Sequence, residues 1–307
     1  AIAAQAQGLQ VLLPLLLCQA MGAVRVLRVV LGVVLLLIFP LFALLIARGP
    51  VDGAGDEREG YWGPKTANVN WCEADYIFTH YIAEFVNSLS SLSIVASGLY
   101  GISAHWTSVE CRYLVAFASM VVVGVGSFAF HATLLRPMQL LDEVPMIWGN
   151  SVFVYILLTM EDKEGRTRTI EIWAISLMTL LMTVLITLFD TSDQNIFLLC
   201  YGSGVVYLVL RSRTLNLKYS SETSMLLMDT ATVLYAGAFL LWLLDRNFCS
   251  AVRSFQLHAL WHIGAELGTV SGLLFWIWIR HEVRAAKARL MGSNPATWWI
   301  QVLDKAV

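Results

Sequence analysis

The sequence predicts an all-α polytopic membrane protein, a bundle of seven transmembrane helices with an additional hydrophobic segment at its N-terminal side. Three observations carry that reading. Hydrophobic residues make up 58% of the 307 positions and charged residues only 14%, and the mean hydropathy is +0.68, well above a soluble domain of this size. The apolar residues gather in stretches of about 20, the length that crosses a hydrocarbon core of ~30 Å. The polar turns between the later stretches are too short to hold another domain. A net charge of −2 with no basic face or stripe excludes nucleic acid as a partner.

Residues 1–50 are almost wholly apolar, and Arg25 and Arg28 precede an apolar run over 29–47 that Pro40 would kink. This extension fits a signal-anchor, a cleaved signal sequence or an extra helix, and it carries no plausible chemistry. Residues 51–79 form the main polar segment. There Asn70, Glu73 and Asp75 cluster with the backbone carbonyl of Trp71, and Glu84 follows at the start of the next helix. Several hard oxygen donors in a short span suit Ca²⁺, which takes six to eight oxygens; the spacing is not that of an EF-hand, and a solvated acidic loop is the alternative.

The seven spans are expected over about 80–104, 113–134, 139–160, 169–189, 194–211, 224–244 and 256–280, giving a seven-helix domain over 80–280 and a cytosolic tail over 281–307. Twelve Lys and Arg residues fall in the tail and the loops after the first, third and fifth helices, against five on the other side, Arg58, Lys65, Arg136, Arg246 and Arg253. That bias places the tail in the cytosol and the polar segment in the lumen or outside. Cys72 and Cys249 share the luminal side, where an oxidising compartment would let them pair, although two unpaired loop thiols would read the same way. Cys18, Cys111 and Cys200 have no obvious mate.

Two helical stretches carry the chemistry. Residues four apart lie about one turn and ~6 Å apart on nearly one helix face, so His258 with His262, and Ser127 with His131, each converge on a point. Three neutral imidazoles and an open water position make the usual catalytic zinc arrangement, and ionisable groups inside spans are functional candidates by default. Any one of these His residues alone reads more simply as a hydrogen-bonded packing residue, but the paired spacing favours shared ligation. Asp142 is the acidic side chain beside that site. It would take a proton from the nucleophilic water and deliver it to the leaving group, while Ser127 would donate a hydrogen bond to the developing oxyanion. Tyr201 and Trp261 would border a lipid pocket, or serve as interfacial anchors. Glu266, one turn beyond His262, is either a hydrogen-bond partner of a ligand imidazole or a packing-face carboxylate. Asp229 reads as a cap or a snorkelling group, and His80, His105 and His281 receive no role.

The stretches Glu59-Gly60-Tyr61-Trp62-Gly63-Pro64, Asn70-Trp71-Cys72-Glu73, Tyr81-Ile82-Ala83-Glu84-Phe85, Gly126-Ser127 through His131, Met138-Gln139-Leu140-Leu141-Asp142-Glu143-Val144-Pro145-Met146 and His258 through His262 resemble the alkaline ceramidase family. The match runs in order over about residues 57–280. That family belongs to a wider superfamily of seven-helix membrane metal hydrolases, which includes adiponectin-receptor-like proteins and the lipid remodelling factors of GPI anchors. The resemblance implies Zn²⁺ on His131, His258 and His262, with Ser127 and Asp142 beside the metal-bound water. It implies a regulatory Ca²⁺ on Asn70, the Trp71 carbonyl, Glu73, Asp75 and Glu84, and a Cys72–Cys249 disulfide. Asn70 stands where an Asp is expected and Asp75 where an Asn is expected, so charge moves within the site and its total is kept. The implied reaction is hydrolysis of the ceramide amide to a sphingoid base and a fatty acid, in an endoplasmic reticulum or Golgi membrane. A GPI-lipid hydrolase or an adiponectin-receptor-like receptor would share the metal site; the motif over residues 59–84 favours a ceramidase. A transporter would show paired interrupted helices in two related halves, and none are found.

Overall fold

The computed structural model describes residues 59–162, 168–190 and 194–303, and the apolar extension expected over 1–50 lies outside them. Among the described residues, seven helices are long and apolar enough to cross a membrane: α1 (Phe85–His105), α2 (Cys111–Thr133), α3 (Arg136–Leu158), α4 (Thr169–Phe189), α5 (Asn195–Lys218), α6 (Glu222–Asn247) and α7 (Leu257–Val283). The chain is an integral membrane protein. Helix α1 packs on α2 and α7, α2 on α3, and α6 along α7.

The spans depart from their expected limits where polar residues continue or forestall a helix. Hydropathy ends the fifth span near residue 211, but α5 runs to Lys218, because Arg211 and Lys218 both reach Glu161 beyond the end of α3. The first helix begins at Phe85 instead of residue 80. Residues before it turn at His80 and Tyr81 and bend at Ala83 and Glu84, whose amides donate to the carbonyls of Ala132 and His131 at 2.9 Å each. The tail is not a plain extension either. Ala288–Met291 and Trp299–Val302 pair as an antiparallel β1–β2 hairpin, and it docks on the end of α1 through Ile300 N–H to His105 Nε2 at 3.1 Å and Tyr100 OH to the Thr297 carbonyl at 2.9 Å.

The polar segment over residues 59–84 is exposed along its first part, but its middle is no solvated loop. Trp71, Cys72, Glu73, Ala74, Asp75 and Tyr76 are all buried, plugging the end of the bundle where α1, α3, α5 and α7 begin. Its Thr66 and Ala67 amides bond the carbonyl of Leu134, which turns α2 into α3 in a left-handed conformation (φ 52°). Trp71 and Tyr76 join Phe130, Leu134 and Trp242 in one apolar cluster. A larger cluster at the other end of the bundle includes Tyr113, Phe117, Ile156, Leu227, Phe275 and Ile300.

One contact registers α2 against α3. Pro145 has no N–H to offer the Leu141 carbonyl one turn before it. That carbonyl faces Gly126, where a Cβ would sit 1.9 Å from it. Only glycine permits this approach, which sets the α3 backbone at Leu141 and Asp142 beside Ser127 on α2.

Candidate functional site

His131 near the end of α2 and His258 and His262 in the first turns of α7 are brought together: one ring nitrogen from each lies within 4.8 Å of the others, and all three residues are buried. Ring centroids are separated by 5.1 Å (His131–His258), 5.0 Å (His131–His262) and 4.7 Å (His258–His262). Among the described residues this is the group of His, Cys, Asp or Glu so placed that it could hold a metal ion.

Hydrogen bonding aims the rings. The Nδ1 of His131 meets Glu84 Oε2 at 2.5 Å, and its buried Nε2 has no partner. The Nδ1 of His262 lies 2.7 Å from Ser90 Oγ. That hydroxyl gives its hydrogen to the Asn87 carbonyl at 2.8 Å, so its oxygen accepts Nδ1–H and leaves Nε2 with a lone pair. His258 stacks on Trp71, centroids 3.7 Å apart and planes within 23°, and its buried Nδ1 is also without a partner. Unpaired buried imidazole nitrogens are costly, and a cation among them would satisfy them; the bonded Nδ1 atoms of His131 and His262 leave their Nε2 atoms suited to a transition metal such as zinc.

Of the five oxygen donors of the plug segment, Trp71, Glu73, Asp75 and Glu84 are buried and Asn70 is exposed, and the three carboxylates do not converge on one point as the histidines do. Glu73 Oε1 and Oε2 accept the Val86 and Asn87 amides at 2.7 and 2.8 Å, capping the start of α1 that Glu84 leaves uncapped. Glu84 accepts Trp71 N–H at 2.9 Å and Asn87 Nδ2 at 3.1 Å in addition to His131. Asp75 Oδ2 takes Lys65 Nζ at 2.7 Å and Asn70 Nδ2 at 3.4 Å, while its buried Oδ1 is unpartnered. Burial raises the Glu73 carboxyl well above the usual range, with the charge of Glu84 adding to it; burial likewise raises Asp75, and pushes Glu84 up to about 7. A divalent cation would relieve both burial and mutual repulsion, and hard oxygens suit calcium.

Cys72 and Cys249 stand at disulfide distance, Cα–Cα 5.3 Å, across 177 residues of sequence. Asp245 on α6 accepts the Cys72 amide at 3.2 Å, which secures the same joint. Cys111 and Cys200 are free.

Asp142 is partly exposed and hydrogen-bonds Ser127, whose oxygen also accepts from Ser91 Oγ at 3.0 Å. Tyr201 and Trp261 belong to one aromatic wall. They are joined by Tyr235, whose hydroxyl lies 2.7 Å from that of Tyr201 and whose ring meets Trp261 edge-on at 5.6 Å. Sequence reading missed Tyr235, although Tyr235 and Phe239, four apart on α6, carry the aromatic spacing that marks it. Missed as well were Ser90 and the pairing of Glu84 with His131, which no spacing in one segment reveals. Glu266 is buried and bonds Ser97 on α1, so it packs α7 against α1 and does not meet a ligand imidazole. Asp229 is exposed on α6.

A family model described as Ceramidase matches residues 63–301. The chain is 34% identical to alkaline ceramidase 3 of Mus musculus over 247 residues, covering 73% of this chain and 88% of the relative. It is 26% identical to an alkaline ceramidase of Saccharomyces cerevisiae over 258 residues, 78% of this chain and 73% of the relative. To the alkaline ceramidase of Arabidopsis thaliana it is 25% identical over 237 residues, 75% and 90% of the two chains.

Proposed function

The chain belongs to the alkaline ceramidase family, and is an amidohydrolase; on that premise we propose that it cleaves the amide of ceramides within the membrane to a free sphingoid base and a fatty acid, with zinc on His131, His258 and His262. The observation that carries this reading is the buried histidine trio with unpartnered ring nitrogens, at the level in the bundle where the plug segment closes over the helices. A ceramide amide lies just below the lipid headgroups, so a site near the helix ends is where a laterally diffusing substrate presents it. Zinc held there would supply Lewis acidity toward the amide carbonyl and make water a nucleophile near neutral pH.

The protein's own groups do the remainder. Asp142 accepts one proton of the attacking water and passes it to the amine as the C–N bond breaks, leaving the acyl carbon with the water oxygen as a carboxylic acid that gives its remaining proton to the released amine or to water. Before the reaction Ser127 is bonded to Asp142. Once Asp142 is protonated that acceptor weakens, and the Ser127 hydroxyl is released to donate to the oxyanion. Glu84 and Ser90 fix the tautomers of His131 and His262, so each presents Nε2 to the ion. The aromatic wall of Tyr201, Tyr235 and Trp261 borders the lipid.

The plug segment is read as a calcium site on Asn70, the Trp71 carbonyl, Glu73, Asp75 and Glu84, and Cys72–Cys249 as a disulfide that fastens it. Glu84 touches His131, so order in the plug reaches the metal trio through one carboxylate. The family resemblance suggests the endoplasmic reticulum or Golgi, and the bias of Lys and Arg supports an orientation with the plug in the lumen and the C-terminus in the cytosol.

The test is purified full chain incubated with a panel of ceramides and phospholipids, assaying sphingoid base and fatty acid together. Equimolar release of both from ceramide, with His258→Ala inactive and depleted of zinc, is expected. Fatty acid released from phospholipid alone would refute the substrate, and a full zinc equivalent in His258→Ala would refute the metal assignment.

A further inference from the structure

The plug segment carries a cation of its own. Lys65 Nζ sits 2.7 Å from Asp75 Oδ2, its side chain 38% exposed and the Asp75 side chain 2% exposed. The ammonium thus reaches from the surface into a pocket of negative charge and pairs with a carboxylate that water does not reach. Its field extends past Asp75 to Glu84. The other acidic groups are differently occupied. Both Glu73 oxygens are committed to the first amides of α1, and both Glu84 oxygens to Trp71, Asn87 and His131. Asp75 is the carboxylate left with an unpartnered buried oxygen, and Asn70 turns its amide NH₂, a donor, toward the same Asp75 oxygen that Lys65 holds.

A divalent cation entering here must therefore displace an ammonium that already neutralises Asp75, and must turn the Asn70 amide so that it offers its carbonyl oxygen. We infer that Lys65 is the built-in counter-ion of the plug segment and competes with calcium for Asp75, lowering calcium affinity and keeping the plug ordered when calcium is scarce. The inference rests on the calcium reading given above. It adds that the affinity is set by a side chain that is no ligand. Lysine suits the task because its four-carbon stem and single charge let it swing out to solvent when a divalent ion arrives, which a bidentate, planar guanidinium does less readily.

The test uses the full chain in detergent after chelator treatment, with terbium luminescence sensitised by Trp71 as the binding signal, calcium as the competing ion, and the thermal midpoint read in parallel. Lys65→Met is expected to bind calcium roughly tenfold to a hundredfold more tightly than wild type, the scale of removing one unit charge a few ångströms from the site. In chelator it should unfold at lower temperature than wild type, and added calcium should remove that difference. Lys65→Arg should stay within about threefold of wild-type affinity because the charge remains. Lys65→Gln should tighten binding as Lys65→Met does, and replaces it if the Met variant does not fold. Equal calcium affinities in wild type and both neutral variants would overturn the inference while the calcium site stands. No terbium or calcium response in any of these chains would overturn the calcium site and the inference together.

Discussion

Helices α1 and α7 and helices α4 and α5 cross the same bilayer on opposite terms. In α1 and α7, 61% and 67% of the most apolar window is buried in protein; in α4 and α5 the figures are 6% and 11%. Yet α4 has the highest hydropathy of the seven, 2.3, and α7 among the lowest, 1.2. In a bilayer the most apolar helix is the one that faces lipid, while small and polar residues mark where helices meet. Helix α1 buries Ser88, Ser90, Ser91, Ser93, Ser97 and Ser103, and three of these serve the site or its packing: Ser90 on His262, Ser91 on Ser127 and Ser97 on Glu266. Chemistry therefore sits in the polar, close-packed half, and the lipid-facing half supplies a wall and a surface.

Asp142→Asn tests that division most severely. Shape and most hydrogen bonding are kept while the basic form is lost, so turnover normalised to bound zinc should fall by roughly 10²–10⁴-fold with zinc content unchanged. A normalised turnover within a few-fold of wild type would make Asp142 a packing residue and leave the polar half without its proton carrier. Tyr201→Phe and Tyr235→Phe probe the border between the halves. Each removes one side of the 2.7 Å hydroxyl pair, worth about 0.5–1.5 kcal/mol, so KM should rise roughly two- to tenfold with kcat near wild type. Loss of zinc in either variant would show instead that the wall is part of the metal site's support. The smallest effect belongs to the lipid-facing half. Hydrogen bonds and charge from Lys218, Tyr219 and Arg211 hold the Glu161 carboxyl down to about 2. A depressed folded-state value stabilises above the unfolded value of 4.5, and that stabilisation is lost as pH falls from there toward 2. Because the group is largely solvated, Glu161→Gln should lower the thermal midpoint by only about 2 °C or less near neutral pH. The difference should vanish in acid; one that persists at low pH would assign Glu161 a role other than its charge.

The histidines, the seven spans and the family motifs were legible because each is written in one short segment: a turn of helix, or ~20 apolar residues. What was not legible joins distant segments. The bond from Glu84 to His131 spans 47 residues, that from Ser90 to His262 spans 172, and Ile300 to His105 spans 195. Helix ends were misplaced for a related reason. Hydropathy reports where lipid stops, whereas the hydrogen-bonded ladder of α5 continues to Lys218 as long as Glu161 receives its charges. The hairpin over 288–302 was read as tail because its strands have four residues each, too short for alternation to declare itself.

The plug reaches its partners late in the life of the chain. Trp71 and Cys72 leave the ribosome before any of the seven helices, but the groups they rest on come late: Asp245 near the end of the sixth helix, and Cys249 and His258 after it. Throughout synthesis the first-made segment must wait for the last helix to be inserted. The nascent protein accordingly holds no complete histidine trio until its final span is in the bilayer, so the place that could take a metal ion comes into being only with the last helix.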